Sequence, residues 1–285
     1  MMKPALVFDW NGTLLDDADA LLQTTNTILG RFGRGAIDMQ TFRDHFDVPL
    51  TVFFRNLGMS ESEIETVDSH DGAIFHDTYE PLASKADLRE GARCILETAR
   101  QQEVSSIIVS NHIVDPLITQ LRRHRIEDCV SEVLAFESRA TQYKGISKGE
   151  RLRLYMRAYN LNPSSTFIVG DMPVETDIAR ELGLISIAIT GGFVSETRLR
   201  AAKPDYLIED HHKLLPILQE RGLFSELITT QSMTEIPSTA TAGKVRQRIG
   251  LIGARHMNRH WTQSFCVMAL NCISKSTQPM LARNA

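Results

Sequence analysis

Four short stretches carry oxygen-rich or cationic side chains directly after apolar runs. Asp9-Trp10-Asn11-Gly12-Thr13-Leu14 follows Ala5-Leu6-Val7-Phe8. A carboxylate leaving a strand beside a glycine sits where the backbone turns sharply and can approach a ligand closely. An Asp that merely ends a strand and caps the next turn would look the same. Ser110-Asn111 follows Ile107-Ile108-Val109. A hydroxyl there can donate to a phosphate oxygen, or can cap a helix that begins near Asn111. Ahead of a helical stretch at 147–160 stands a lysine, either Lys148 or Lys144. Such a cation can neutralise a transferring phosphoryl group, although lysines are mostly just solvated. Lastly, Gly170-Asp171-Met172-Pro173-Val174-Glu175-Thr176-Asp177 follows Phe167-Ile168-Val169. Carboxylates so close together form a hard-oxygen cluster suited to Mg²⁺. The dipole of a helix N-terminus also favours acids, which accounts for Glu175 and Asp177 better than for Asp171.

These sites need a scaffold that brings the ends of several strands together. Short β-branched runs alternate with helical patterns: 5–8, 106–109, 132–136, 166–169, 185–189 and 206–208 read as strands. Helices are expected near 88–102, 112–123, 147–160, 174–182 and 195–201, with Asn162-Pro163 and Gly183 as stops or turns. Continuous apolar strands of this kind are buried on both faces. The expected fold is therefore α/β, a doubly wound, Rossmann-like parallel sheet whose ligands bind beyond the carboxyl ends of the strands.

Residues 16–87 break the alternation. They read as helices near 17–32, 39–45, 49–57 and 60–80, a small helical domain inserted after the first strand and seated over the sheet's carboxyl edge. The expected division is a core of 1–15 with 88–225, an inserted domain of 16–87, and a tail of 226–285. That tail is rich in Ser, Thr, Gln and Met, lacks either hydrophobic period, and is expected to be disordered.

Composition narrows the partners. The 285 residues are 42% apolar and 23% charged, with a net charge of −4. No basic block marks a nucleic-acid face. The basic stretch Arg122-Arg123-His124-Arg125 reads as a solvated helix face. No window reaches the roughly 18 apolar residues of a membrane span, and no signal-peptide pattern opens the chain. Cys94, Cys129, Cys266 and Cys272 share no metal-finger spacing and suit a reducing compartment. A cytoplasmic protein acting on a small molecule is the expectation, with the oligomeric state left open.

Asp9-x-Asn11-Gly12-Thr13-Leu14, Ser110-Asn111, a lysine, and Gly170-Asp171 with Glu175 resemble, in order, the four motifs of the haloacid dehalogenase superfamily. The resemblance covers about residues 5–210, and the insert at 16–87 matches the position and size of that family's helical cap. It is strongest to the phosphoglycolate-phosphatase-like branch, among members whose first motif reads Asp-Trp-Asn-Gly-Thr-Leu. The resemblance implies a Mg²⁺-dependent phosphatase of a small phosphorylated metabolite. Asp9 would be the nucleophile and form an aspartyl-phosphate. Asp9 and Asp171 would bind Mg²⁺ by side chain and Asn11 by its backbone carbonyl, with Glu175 supporting the metal shell through water or lysine contacts. Thr13, Ser110, Asn111 and the lysine would hold the substrate. Ser147-Lys148-Gly149-Glu150-Arg151 is similar to the branch's Ser-Lys-x-x-Arg pattern and favours Lys148, with Lys144 as the alternative.

Asn11 departs from the family, where an Asp usually serves there as general acid and base. An amide does neither, so slow turnover is expected. Three other readings compete. One is a carbon–phosphorus hydrolase similar to phosphonoacetaldehyde hydrolase, which needs a cap lysine for a Schiff base; only Lys85 is available. Another is a metal-free dehalogenase, against which Gly170-Asp171 argues. The last is a non-catalytic binding protein on the same fold. The cap shows no substrate motif; Arg43, His45, Phe46, Arg55 and His76 are its candidates for facing the site.

Overall fold

The computed structural model describes residues 2–142 and 145–225. Lys144 and the tail from 226 onward lie outside the described residues. Among the described residues, six parallel strands form one sheet in the order β3-β2-β1-β4-β5-β6. They are β1 (Lys3–Phe8), β2 (Ser105–Ile113), β3 (Glu132–Phe136), β4 (Leu161–Gly170), β5 (Ile185–Ile189) and β6 (Tyr206–Ile208). All six expected strands are present. The order reverses between β1 and β4, which opens a crevice at their carboxyl ends, the usual ligand position in doubly wound sheets.

Alternate side chains of each strand go to opposite faces. Leu6, Phe8, Ile108, Phe167 and Val169 pack with Leu96, Leu117 and Leu121. Their neighbours Val7, Ile107, Val109 and Ile168 pack on the other face with Leu152, Met156 and Ile178. The first group of helices includes α5 (Ala92–Gln101) and α6 (Val114–Arg123), and the second includes α7 (Lys148–Tyr159) and α8 (Pro173–Leu182). Helix α9 (Glu196–Ala202) follows β5, and α10 (Leu214–Glu220) closes the described chain. Helix α10 was not anticipated; its seven residues are too few to show a period, and Leu214 and Leu218 are fixed by burial in the core.

Between β1 and β2 run α1 (Ala18–Arg31), α2 (Met39–His45), α3 (Leu50–Asn56) and α4 (Glu61–Ala83). A capping box of Ser60 with Glu63 starts α4, satisfying backbone donors that would otherwise be unpaired. His70, Asp71 and Gly72 adopt positive φ and break α4 into two arms. Phe42, Phe46 and Phe53 of this insertion pack on Phe193 and Val194, which follow β5. The insertion is thus joined to the carboxyl edge of the sheet by an aromatic cluster, with Phe46 and Phe193 ring centroids 5.0 Å apart.

Two local expectations are corrected. Asn162-Pro163 does not stop α7; Asn160 does, in the left-handed conformation at φ 55°, which Asn tolerates. Asn162 and Pro163 already belong to β4. Likewise α6 starts not at Asn111 but at Val114. Strand β2 continues to Ile113, and the Ser110 hydroxyl accepts from the His112 backbone N–H at 3.1 Å instead of capping a helix.

Candidate functional site

Strand register assembles the site. Phe8 lies opposite Ile108 of β2 and Val169 of β4, so the next residues, Asp9, Val109 with Ser110, and Gly170 with Asp171, emerge together. The Asp9 backbone N–H donates to Val169 O at 2.9 Å, extending the ladder by one step. Asp9 is 7% exposed and Asp171 fully buried. The Thr13 hydroxyl donates to Asp171 Oδ1 at 2.9 Å and the Phe193 N–H to Oδ2 at 2.7 Å. Burial first, and then the nearby negative charge of Asp9, push the Asp171 carboxyl up to about 7. Glycines make this approach possible. A Cβ on Gly12, whose φ is +70°, would stand 2.3 Å from Asp171 Oδ2, and one on Gly192 would also stand 2.3 Å from it.

Lys148 is the first residue of α7 and is buried. A cation at a helix N-terminus opposes the helix dipole, so its position needs compensation. Its Nζ lies 2.9 Å from Asp9 Oδ1 and 2.5 Å from Glu175 Oε1. Burial alone would lower the lysine's pKa, but the two carboxylates together outweigh it and the net shift is upward. Glu175 also accepts the Met172 N–H at 3.2 Å. Burial raises its carboxyl to about 7, against the opposing pull of Lys148. Glu175 therefore contacts the lysine, one of the two roles anticipated for it.

Asn11 turns its amide away from acid–base work. Its Nδ2 donates to Asp17 Oδ2 at 2.9 Å and to the Tyr79 hydroxyl at 2.8 Å, while Oδ1 accepts from Ser110 Oγ at 3.5 Å. Asp17 additionally takes the Gly12 N–H at 2.7 Å and the Tyr79 hydroxyl. Burial raises its carboxyl to about 6 despite these bonds. In the sequence Asp17 looks like a helix cap; it does occupy that position of α1 but makes no side-chain capping bond. Tyr79 carries no local signal, being one aromatic on an amphipathic helix.

A cavity of about 180 Å³ opens over these groups, and Asp9, Asn11, Ser110, Asn111, Lys148 and Glu175 all line it. Thr13 does not. It is fully buried, its hydroxyl is taken by Asp171 and its carbonyl accepts from His211 Nε2 at 2.8 Å; the expected substrate contact is corrected to a structural one. Asn111 Oδ1 accepts from Arg151 Nη2 at 3.4 Å, and the same guanidinium donates to Ser110 O at 2.7 Å. Among the cap candidates, Phe46 and His76 line the cavity, whereas Arg43, His45 and Arg55 do not. Lys85 is exposed and away from the cavity, which removes the Schiff-base lysine that a carbon–phosphorus hydrolase requires. His112 and Arg89 were missed by the sequence reading. Buried His112 lines the cavity, and Arg89 donates to Gly12 O at 2.8 Å, holding the first-motif turn.

Among the described residues no group of three or more His, Cys, Asp or Glu forms a metal cage. The pair Asp9 and Asp171 is nevertheless the donor set that a hard divalent cation takes when it keeps most of its waters. The Asp171 carboxylate is destabilised by burial and by the charge of Asp9, a cost that a cation relieves. Among the described residues no helix is long and apolar enough to cross a membrane.

Residues 6–189 match the family model of haloacid dehalogenase-like hydrolases. The chain is 26% identical over 211 residues to a phosphoglycolate phosphatase of Synechococcus elongatus, covering 74% of this chain and 95% of that one. It is 22% identical over 255 residues to a phosphoglycolate phosphatase of Pseudomonas putida, covering 86% and 92%. A solved haloacid dehalogenase-like family hydrolase from Streptococcus pneumoniae superposes with a TM-score of 0.65 at 20% identity, covering 76% of this chain and 99% of the other. With a family match over more than half its length, on a parallel sheet with a helical insertion after the first strand, the chain belongs to the haloacid dehalogenase-like hydrolases.

Proposed function

We propose that the protein is a Mg²⁺-dependent phosphatase of a small phosphorylated metabolite, working through an aspartyl-phosphate on Asp9. The observation that carries this reading is Lys148, whose buried ammonium bridges Asp9 and Glu175 at the floor of the cavity. A carboxylate oxygen of Asp9 attacks phosphorus as the phosphorus–ester oxygen bond breaks, and the departing alkoxide takes its proton from water. Water then attacks the acyl phosphate, releasing inorganic phosphate and restoring Asp9. Lys148 offsets the charge on the transferring group, and Glu175 keeps that lysine in place. Ser110 and Asn111 hold phosphoryl oxygens, and Thr13 orients Asp171. Asp9 and Asp171 by side chain and Asn11 by backbone carbonyl would hold Mg²⁺, which when bound supplies positive charge to the phosphoryl oxygens. Residues 16–87 act as the cap over a core of 1–15 and 88–225. The names of the curated relatives make phosphoglycolate one candidate substrate.

The test is release of p-nitrophenol from p-nitrophenyl phosphate with Mg²⁺, and its loss with EDTA. Asp9→Asn, nearly isosteric, is expected to abolish the reaction with the fold intact. Retained hydrolysis in Asp9→Asn overturns the nucleophile, and no hydrolysis by the parent chain favours a binding role.

A further inference from the structure

We infer that Asn11 presents its side-chain carbonyl oxygen to the water that hydrolyses the aspartyl-phosphate, in an orientation fixed by Asp17 and by Tyr79 of the insertion. The inference rests on the phosphatase reading above and concerns its second step alone.

Hydrogen-bond partners decide which end of the amide faces where. Asp17 Oδ1 takes the Gly12 N–H at 2.7 Å, and Oδ2 accepts from the Tyr79 hydroxyl. With its hydrogen given to Asp17, the Tyr79 hydroxyl can only accept from Asn11. The Asn11 atom that lies 2.9 Å from Asp17 Oδ2 and 2.8 Å from the Tyr79 oxygen is therefore the amide nitrogen. An amide oxygen in that place would face two atoms that offer it no hydrogen. Oδ1 consequently points the other way, to Ser110 Oγ at 3.5 Å. Tyr79 is itself held in place. Its ring stacks on Phe75 at 5.2 Å and meets His112 edge-on at 6.1 Å. Asn11, Tyr79 and Ser110 line the same cavity as Asp9.

A serine hydroxyl carries one hydrogen. When Ser110 gives it to a phosphoryl oxygen, Asn11 Oδ1 is left as an acceptor beside the phosphoryl group, and the attacking water is the donor that meets it. The bond from water oxygen to phosphorus forms as the bond from phosphorus to the Asp9 oxygen breaks. One water hydrogen stays on the attacking oxygen, the other passes to a phosphoryl oxygen, and the product leaves as H₂PO₄⁻. Asn11 thus accepts a hydrogen bond but no proton, and orients the water without acting as a base. Tyr79 and Asp17 are positioning residues that act through it.

Rapid-quench measurement on the full chain with Mg²⁺ and p-nitrophenyl phosphate reads two rates, the formation of phosphate on Asp9 and its decay. Tyr79→Phe, which keeps the ring, is expected to leave formation within about twofold and to slow decay about tenfold, within the range that misplacing a reacting group costs. Asn11→Ala is expected to slow decay at least as much, and Asn11→Leu, closer in size, replaces it if that variant does not fold. The double variant should decay no more slowly than Asn11→Ala, because Tyr79 has nothing to position once the amide is gone. Unchanged decay in either single variant overturns the inference, as does an equal loss in both rates for Tyr79→Phe or an additive loss in the double variant; in each case the phosphatase reading stands. If no phosphate appears on Asp9 in the parent chain, the phosphatase reading fails and the inference falls with it.

Discussion

The side-chain amide of Asn11 donates to the buried carboxylate of Asp17 at 2.9 Å, and Tyr79 of the insertion bonds to both residues. The acid that the first motif lacks at position 11 is thus present one residue contact away, with its carboxyl raised to about 6 chiefly by burial. This pairing changes what a substitution at Asn11 does.

Asn11→Asp alone would set two carboxylates side by side and remove the donor that Asp17 accepts. It is expected to cost about 1–3 kcal/mol of stability and to give no faster turnover. The double variant Asn11→Asp with Asp17→Asn transposes acid and amide and restores the bond. General acid–base assistance contributes typically about 10²–10⁴-fold, so the double variant should turn over faster. In the parent chain a burst of leaving group is expected before a slow steady rate, since an amide cannot activate water. Burst and steady-state measurements on the three proteins check this. A well-folded double variant no faster than the parent would refute it.

Lys148→Met removes the cation between Asp9 and Glu175. Breaking a buried pair typically costs about 3–5 kcal/mol because the remaining charge is unpaired. Glu175, already raised to about 7, rises further without the lysine and so takes its proton before the pH has fallen to neutrality. The variant's deficit should therefore be large at pH 8 and much smaller at pH 5.5, and hydrolysis should be lost at both. Urea melts at the two pH values give the comparison; an equal deficit at both would count against an unpaired Glu175.

His211 sets an acid limit. Burial lowers its pKa from 6.5 to about 4, opposed by its bond to the Thr13 carbonyl. The unfolded chain binds this proton more readily, so His211 supports folding fully above about pH 6.5 and loses that contribution as pH falls toward 4. The shift corresponds to about 3 kcal/mol. His211→Gln, whose amide can still donate to Thr13 O, should show a flatter loss of stability between pH 6.5 and 4 than the parent. Asp17, Asp171 and Glu175 shift the opposite way, so only the difference between the two proteins isolates the histidine. Identical pH slopes would remove His211 as the cause.

Gly192→Ala tests the close approach behind Asp171. The new Cβ would lie 2.3 Å from Asp171 Oδ2 and 2.5 Å from its Cβ, so the side chain must move and surrender the Phe193 N–H bond. A lower melting temperature and a higher Mg²⁺ requirement are expected. Gly35→Ala, where nothing lies within 4 Å of the new atom, serves as the control and should change neither. A Gly192→Ala protein with parental Mg²⁺ dependence would show that Asp171 does not need this position.

Much of the molecule was legible in the sequence because its information is local. Apolar β-branched runs mark strands buried on both faces, and residues that follow them must surface at the sheet's carboxyl edge. That reasoning placed Asp9, Ser110 and Asp171; Lys148 was favoured over Lys144 only by its similarity to a Ser-Lys-x-x-Arg pattern, and the helical insertion by its break in the alternation. Other features depend on contacts between segments far apart in the chain, which no local period encodes. Tyr79 reaches Asp17 across 62 residues, Arg89 closes the turn at Gly12 from 77 residues away, and Thr13 is turned inward onto Asp171 at a separation of 158. The sequence by itself determined the sheet, the insertion and the chemical groups at the strand ends. Only the tertiary structure decided which acid stands beside Asn11 and which way its amide faces, because burial and partner choice are properties of the packed chain.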